Sequence, residues 1–172
     1  MELKGKKVLS FIHSDFEDLE FWYPVLRLRE EGIEVDVAGE NADETYKGKY
    51  GVLAKSNLNF EQVKPKEYDG LLVPGGWAPD KLRRFPEVID IVKKFNIEKK
   101  PIGHICHGGW VLISADIVKG KTVTSTVAIK DDLQNAGAKW VDKDVVVDEN
   151  IVSSRKPMDL PVYMKEYINI LK

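Results

Sequence analysis

What this chain lacks narrows it first. Its 172 residues include one cysteine, Cys106. No intramolecular disulfide can form, which suits a reducing compartment and points to the cytoplasm. Neither sign of charge is in excess: 26 Lys and Arg stand against 28 Asp and Glu, a formal net charge of −2. A chain so nearly neutral gives no electrostatic reason to expect nucleic acid or an anionic membrane surface as a partner. No apolar run approaches the ~20 residues of a membrane-spanning helix. Met1-Glu2-Leu3-Lys4-Gly5 does not open as a signal peptide does. Arginine is scarce beside lysine and the only glutamines are Gln62 and Gln134, which leans toward a heat-adapted source.

Familiar chemical signatures are missing too. There is no G-x-G-x-x-G, no phosphate-binding P-loop and no H-E-x-x-H, and no G-x-S-x-G elbow. The only histidines are His13, His104 and His107. Nothing downstream of His107 can serve a glutaminase-type cysteine triad, whose histidine lies far beyond the nucleophile. His104, Cys106 and His107 lie close in sequence, but no second pair at metal-ligand spacing accompanies them. Neither a metal nor a cofactor is expected.

What is present is an ordinary globular composition, 43% hydrophobic and 31% charged. The length favours one domain over residues 1–172, burying roughly 68–70% of the unfolded surface. Apolar runs at Lys7–Ile12, Ile33–Val37, Gly70–Val73 and Pro101–Ile105 predict strands, with further strands at Thr122–Thr126, Lys139–Val147 and Ile151–Ser154. Helical spacing predicts helices over Phe16–Glu31, Pro86–Lys99, Trp110–Ala115, Ile129–Ala136 and about Met158–Leu171. Ser14-Asp15-Phe16-Glu17 fits a capping box opening the first of these, and Pro24 should bend that helix or shift its start. Thr45–Ser56, punctuated by Gly48 and Gly51, reads as a hairpin. Strands alternating with helices argue for an α/β fold, a mostly parallel central sheet with helices on both faces.

In such a sheet ligands gather beyond the carboxyl ends of the strands. Three segments fall on that edge: His13–Glu17, Pro74–Asp80 and Cys106–Gly109. Cys106, between an apolar strand and a helix and followed by Gly108-Gly109, has the setting of a nucleophile elbow. A helix start favours thiolate over thiol, so a lowered thiol pKa is expected, against the alternative of an inert buried cysteine. The N–H groups of Gly75, Gly76 and His107 could bind an oxyanion, though a glycine pair more often only marks a turn. Glu17 is either the far member of the capping box or a carboxyl that meets Cys106 and, protonated by burial, donates to its sulfur. Asp18 and Glu20 read as solvated helix-face charges. His107 follows Cys106 directly and is an imperfect candidate base. His104 reads as a satisfied buried histidine. Trp77 covers a pocket, packs against another subunit or is ordinary surface; His13 and His104 are further pocket candidates.

Phe16-Glu17-Asp18, Leu72-Val73-Pro74-Gly75-Gly76 and Ile105-Cys106-His107-Gly108, taken in order, resemble the DJ-1/PfpI superfamily. Asp131-Asp132 through Asn135-Ala136-Gly137, then Val145-Val146-Val147-Asp148 and Ser153-Ser154-Arg155, resemble its PfpI (intracellular protease) branch. The resemblance runs from about Lys7 to the C-terminus. It implies a flavodoxin-like three-layer sandwich that assembles as a homo-oligomer, a dimer or hexamer. It implies Cys106 as nucleophile, Glu17 as the carboxyl touching its sulfur and His107 oriented by Asp80 of a neighbouring subunit. The N–H groups of Gly76 and His107 would form the oxyanion hole. Peptidase-like members carry arginine and glutamate where this chain has Trp77 and Asp80, and tyrosine and proline where it has Thr126 and Gly109. These departures favour general thiolate chemistry over peptide cleavage. The leading expectation is a cofactor-free, glyoxalase- or deglycase-like cysteine enzyme acting on a small aldehyde or a glycated adduct. An ATP-independent peptidase completed across a subunit interface is the alternative, and an oxidation sensor or chaperone built on Cys106 a third.

Overall fold

The computed structural model describes residues 3–172. Met1 and Glu2, which head both the expected 1–172 domain and the segment read against a signal peptide, lie outside the described residues. The apolar runs form the middle of the molecule: Val8, Leu9, Leu71, Ile102 and Ile105 are almost wholly shielded from water. Each such side chain is worth roughly 1.5–3 kcal/mol of transfer free energy. Strands buried on both faces need helices on both faces, so the sequence order of strand and helix dictates a layered α/β arrangement.

The central sheet contains β1 (Lys7–Phe11), β2 (Glu34–Gly39), β5 (Leu58–Asn59), β6 (Gly70–Val73), β7 (Ile102–Ile105), β10 (Val145–Asp148) and β11 (Ile151–Ser154). Their spatial order is β10-β11-β7-β6-β1-β2-β5. Every pairing is parallel except that of β10 with β11, a hairpin at one edge. Helices α1 (Asp18–Glu30) and α6 (Leu160–Leu171) pack together on one face, while α3 (Pro86–Ile97) and α4 (Gly109–Ser114) pack together on the other. This is a flavodoxin-like α/β fold. A hairpin of β3 (Thr45–Lys47) and β4 (Leu53–Lys55) and the short helix α2 (Ala78–Leu82) stand beside the carboxyl edge of the sheet. No helix is long and apolar enough to cross a membrane among the described residues.

Several expectations are corrected. The strand expected over Thr122–Thr126 is only β8 (Thr122–Val123), paired with β9 (Lys139–Trp140) outside the main sheet. Between them runs α5 (Lys130–Asn135). Asp36 of β2 is buried, and Lys7 Nζ (2.7 Å), Tyr68 Oη (2.7 Å) and Asn57 Nδ2 (2.7 Å) all reach its carboxylate. Ser14 does not cap α1. The chain stays irregular as far as Phe16, which bridges Gly76, and Glu17 itself is the N-cap. Pro24 lies within α1 without ending it.

Candidate active site

The three edge segments converge because backbone hydrogen bonds stitch them together. Glu17 N–H donates to Gly75 O (3.1 Å) and Trp77 N–H donates to Asp15 O (2.8 Å). This fastens the loop after β6 to the loop before α1. Gly75 fits between Glu20 and Cys106: a Cβ there would overlap Glu20 Oε2 and come within 2.7 Å of Cys106 Cβ. Glycine at 75 is therefore what lets the Glu20 carboxyl reach the sulfur.

Cys106 leaves β7 with φ of +59°. A non-glycine residue in that region costs of order 1–3 kcal/mol and persists only where the surroundings over-determine it. Here the surroundings do, since Gly108 lies so close to β6 that a Cβ would come within 2.8 Å of Val73 O. The consequence is that the half-buried sulfur is lifted off the strand. The N–H groups of His107 and Gly76 face it. His107 Nδ1 lies 3.3 Å from Sγ. Burial lowers the imidazole's pKa, helped by the Lys49 ammonium, so the ring is neutral and able to accept a proton.

Glu20, not Glu17, is the carboxyl at the sulfur. Glu20 is 2% exposed. Among the described residues neither of its oxygens has a hydrogen-bond partner of standard geometry, and the polar groups facing it are the Cys106 thiol and the Gly75 N–H. Burial, and then the nearby Glu17, pushes its pKa up to about 8, so it holds its proton at neutral pH. Glu17 has been consumed by the backbone: its Oε2 accepts from Glu20 N–H at 2.8 Å as the helix cap. The reading of Asp18 and Glu20 as solvated charges fails for both, since Asp18 is 5% exposed and ties down the turn between β3 and β4.

The expected lowering of the thiol pKa is not what the structure gives. Burial, then the charge of an adjacent Glu20 carboxylate, pushes Cys106 up to about 12, against the two N–H donors. The helix behind the elbow is short, a 3-10 turn over Cys106–Gly108 followed by the six residues of α4, so its end has little dipole to offer. The two acids cannot both ionise in one buried site. Whenever the sulfur carries the charge, the two N–H groups and a protonated Glu20 are the groups that stabilise it.

Of the expected oxyanion donors, Gly76 and His107 face the sulfur, whereas the Gly75 N–H faces Glu20. Asp80 does not meet His107 within the chain: it pairs with Arg84 on the exposed side of α2. Trp77 stands beside His107, ring centroids 5.2 Å apart, and Trp110 flanks the other side at 5.0 Å. His13 belongs elsewhere, bonded to Glu40 (3.2 Å) and packed on Tyr46 and Phe85. His104 is fully buried beneath the elbow, but it is not satisfied, since neither ring nitrogen has a partner among the described residues. Clefts such as that of about 560 Å³ bounded by Val63–Glu67, Lys94 and Glu98 lie away from Cys106, which sits at an open edge of the sheet.

Known proteins resemble this chain over nearly its whole length. Deglycase PH1704 of Pyrococcus horikoshii is 46% identical over 166 residues, covering 96% of this chain and 99% of the relative. Deglycase PfpI of Pyrococcus furiosus is 45% identical with the same coverage. The crystal structure of a two-domain protein with DJ-1/ThiJ/PfpI-like and ferritin-like domains, from Anabaena variabilis, superposes with a TM-score of 0.94 at 38% identity. It covers 95% of this chain, which spans only 47% of that protein. The model of the DJ-1/PfpI family matches residues 6–170, and the chain belongs to that family.

Proposed function

We propose that this protein is a cofactor-independent cysteine enzyme of the DJ-1/PfpI type that acts on reactive carbonyls or their adducts, with Cys106 as nucleophile. The observation that carries the reading is the convergence on one sulfur of a neutral imidazole at 3.3 Å, a buried protonated carboxyl and two backbone N–H donors. Relatives named deglycase, alike over nearly their whole length, support the substrate class.

For a 2-oxoaldehyde the steps balance without an outside oxidant. His107 Nδ1 takes the thiol proton and the sulfur adds to the aldehyde carbon, forming a C–S bond. The carbonyl oxygen becomes an oxyanion facing the N–H groups of Gly76 and His107, then takes a proton to give a hemithioacetal. Transfer of the proton on that carbon to the neighbouring oxo carbon, with the hemithioacetal hydroxyl proton passing to the oxo oxygen, oxidises the first carbon to a thioester and reduces the second to an alcohol. His107 and Glu20 are the two proton carriers within reach. Water then cleaves the thioester, releasing a 2-hydroxy acid and restoring the thiol. Asp80 of a neighbouring copy would orient His107 in a homo-oligomer, and the single cysteine fits a cytoplasmic setting.

The test is turnover of methylglyoxal by the purified protein. Lactate should form with the native chain and fall to the buffer rate with Cys106→Ser. Equal lactate from both proteins would end the proposal. Cleavage of fluorogenic peptides lost on Cys106→Ala, without lactate formation, would replace it with the peptidase reading.

A further inference from the structure

The turn between β3 and β4 should swing freely, being exposed and glycine-rich, yet it is fastened on one side to the first turn of α1. Lys49 N–H donates to Phe16 O at 2.8 Å. Tyr50 N–H and Val52 N–H each donate to the Asp18 carboxylate at 2.8 Å. Gly48 lies so close to Asp18 that a Cβ would come within 2.6 Å of its Cγ. The turn is thus held against the same helix start that carries Glu20, and its one charged side chain projects from that fastened backbone.

That side chain is Lys49. Its ammonium lies 5.7 Å from the centre of the Trp77 ring and 5.4 Å from that of Tyr50. Trp77 in turn stands 5.2 Å from His107, whose Nδ1 touches the sulfur. Of the neighbouring cations, Lys55 pairs with Asp43, Lys81 with Asp15 and Arg84 with Asp80, while Arg83 lies over Trp110 and donates to Ser114 Oγ. Lys49 forms no ion pair among the described residues. It is also the cation whose field reaches Glu17, Glu20 and His107 together. An unpaired positive charge, anchored at its backbone and resting on an aromatic face at the rim of a nucleophile, is suited to an anionic part of whatever the nucleophile attacks.

We infer that Lys49 is a specificity-determining residue that selects carbonyl substrates bearing a carboxylate beside the reacting carbonyl, whether a free oxo acid or an adduct on an amino acid. The inference rests on the reading of Cys106 as nucleophile. A unit charge several ångströms away at a wet rim changes an encounter by about three- to tenfold, and less at high salt.

Alkylation of Cys106 separates this role from any effect on the sulfur itself. Iodoacetate and iodoacetamide react by the same displacement and differ in charge. Rates are read by intact mass near neutral pH for the native chain, Lys49→Gln, Lys49→Glu and Lys49→Arg. Lys49→Gln should slow iodoacetate about three- to tenfold while iodoacetamide stays within about twofold. Lys49→Glu should slow iodoacetate further, and Lys49→Arg should restore it. Added salt should shrink the native preference. Equal slowing of both reagents would mean that Lys49 acts on the sulfur and would overturn the inference, as would an unchanged iodoacetate rate. The ratio needs only a reactive sulfur. Absence of lactate from methylglyoxal would therefore end the glyoxalase chemistry and leave the charge preference standing.

Discussion

Two buried titratable side chains lie on opposite sides of the strand that ends at Cys106, and their surroundings differ in one respect. On the α1 side Glu20 faces the thiol and the Gly75 N–H. On the α4 side His104 lies under Gly108 and Gly109 with both ring nitrogens unpartnered. Burial drives both toward neutrality, raising the acid to about 8 and lowering the base to about 4. Only the acid has a group with which to share its proton. A shifted pKa therefore does not by itself mark chemistry. The mark is a shifted group that faces another one able to trade a proton with it.

The comparison breaks most readily at Glu20. The folded chain keeps the Glu20 proton up to about pH 8, whereas an unfolded glutamate releases it near pH 4.3. Between these values the folded state binds more protons, so stability is full below the lower value and falls as pH rises toward 8. The loss is on the order of 3–5 kcal/mol. Glu20→Gln removes the titration. Urea midpoints at pH 5 and pH 8.5 should fall for the native chain and stay nearly level for the variant. The same substitution should slow Cys106 alkylation around neutral pH, because the sulfur loses the partner that shares its charge. A native pH slope retained by Glu20→Gln would show that the carboxyl is not the buried acid described.

His104 should give the opposite slope and no chemical effect. An unfolded histidine titrates near 6.5, and the buried ring near 4. The unfolded state binds more protons in that window. The stability is present above pH 6.5 and is lost as pH falls to 4, by about 2–3 kcal/mol. His104→Leu should flatten this acid limb while leaving the iodoacetamide rate of Cys106 near native. A large drop in that rate would erase the distinction between the two sides.

Much of the fold was legible because buried strands advertise themselves: Gly70–Val73 and Ile102–Ile105 are runs with no solvated face, and the structure ends them where the sequence turns to Pro74 and Cys106. Thr122–Thr126 misled because β-branched residues carry strand propensity without fixing a partner, and here only two of them pair. Glu20 was missed although a signal existed. Residues 17, 20, 21, 24, 25 and 28 recur at helical spacing, and all are buried. A glutamate inside that stripe points at the core and needs a reason to be there. The capping-box motif drew attention to position 17, whose carboxylate serves the backbone. Asp18 was equally opaque, because its partners are N–H groups of a turn about thirty residues away that no local pattern links to it.

The elbow itself separates the two sides, and Gly108 is where that separation is tightest. A methyl group there would press on Val73 O at 2.8 Å, a backbone atom that cannot rotate away. Gly108→Ala should destabilise the chain by about 1–3 kcal/mol, seen as a lower melting temperature. It should also slow Cys106 alkylation, since the strained φ at that residue depends on the close approach.

The smallest effect is expected at Glu17, and it distinguishes a cap from a catalytic acid. Its Oε2 accepts from Glu20 N–H, a role that an amide oxygen fills nearly as well. Glu17→Gln should keep the melting temperature close to native, whereas Glu17→Ala, which leaves that donor unpaired, should cost about 1 kcal/mol. Removing the charge has one further consequence. Glu17 is a like charge that helps to hold the Glu20 proton, so Glu17→Gln should move the fall of stability with pH to lower values without abolishing it. A cap that also tunes its neighbour gives this displaced slope with the sulfur still reactive. If Glu17→Gln instead silenced Cys106 as completely as Glu20→Gln does, the two carboxyls would be acting as one unit.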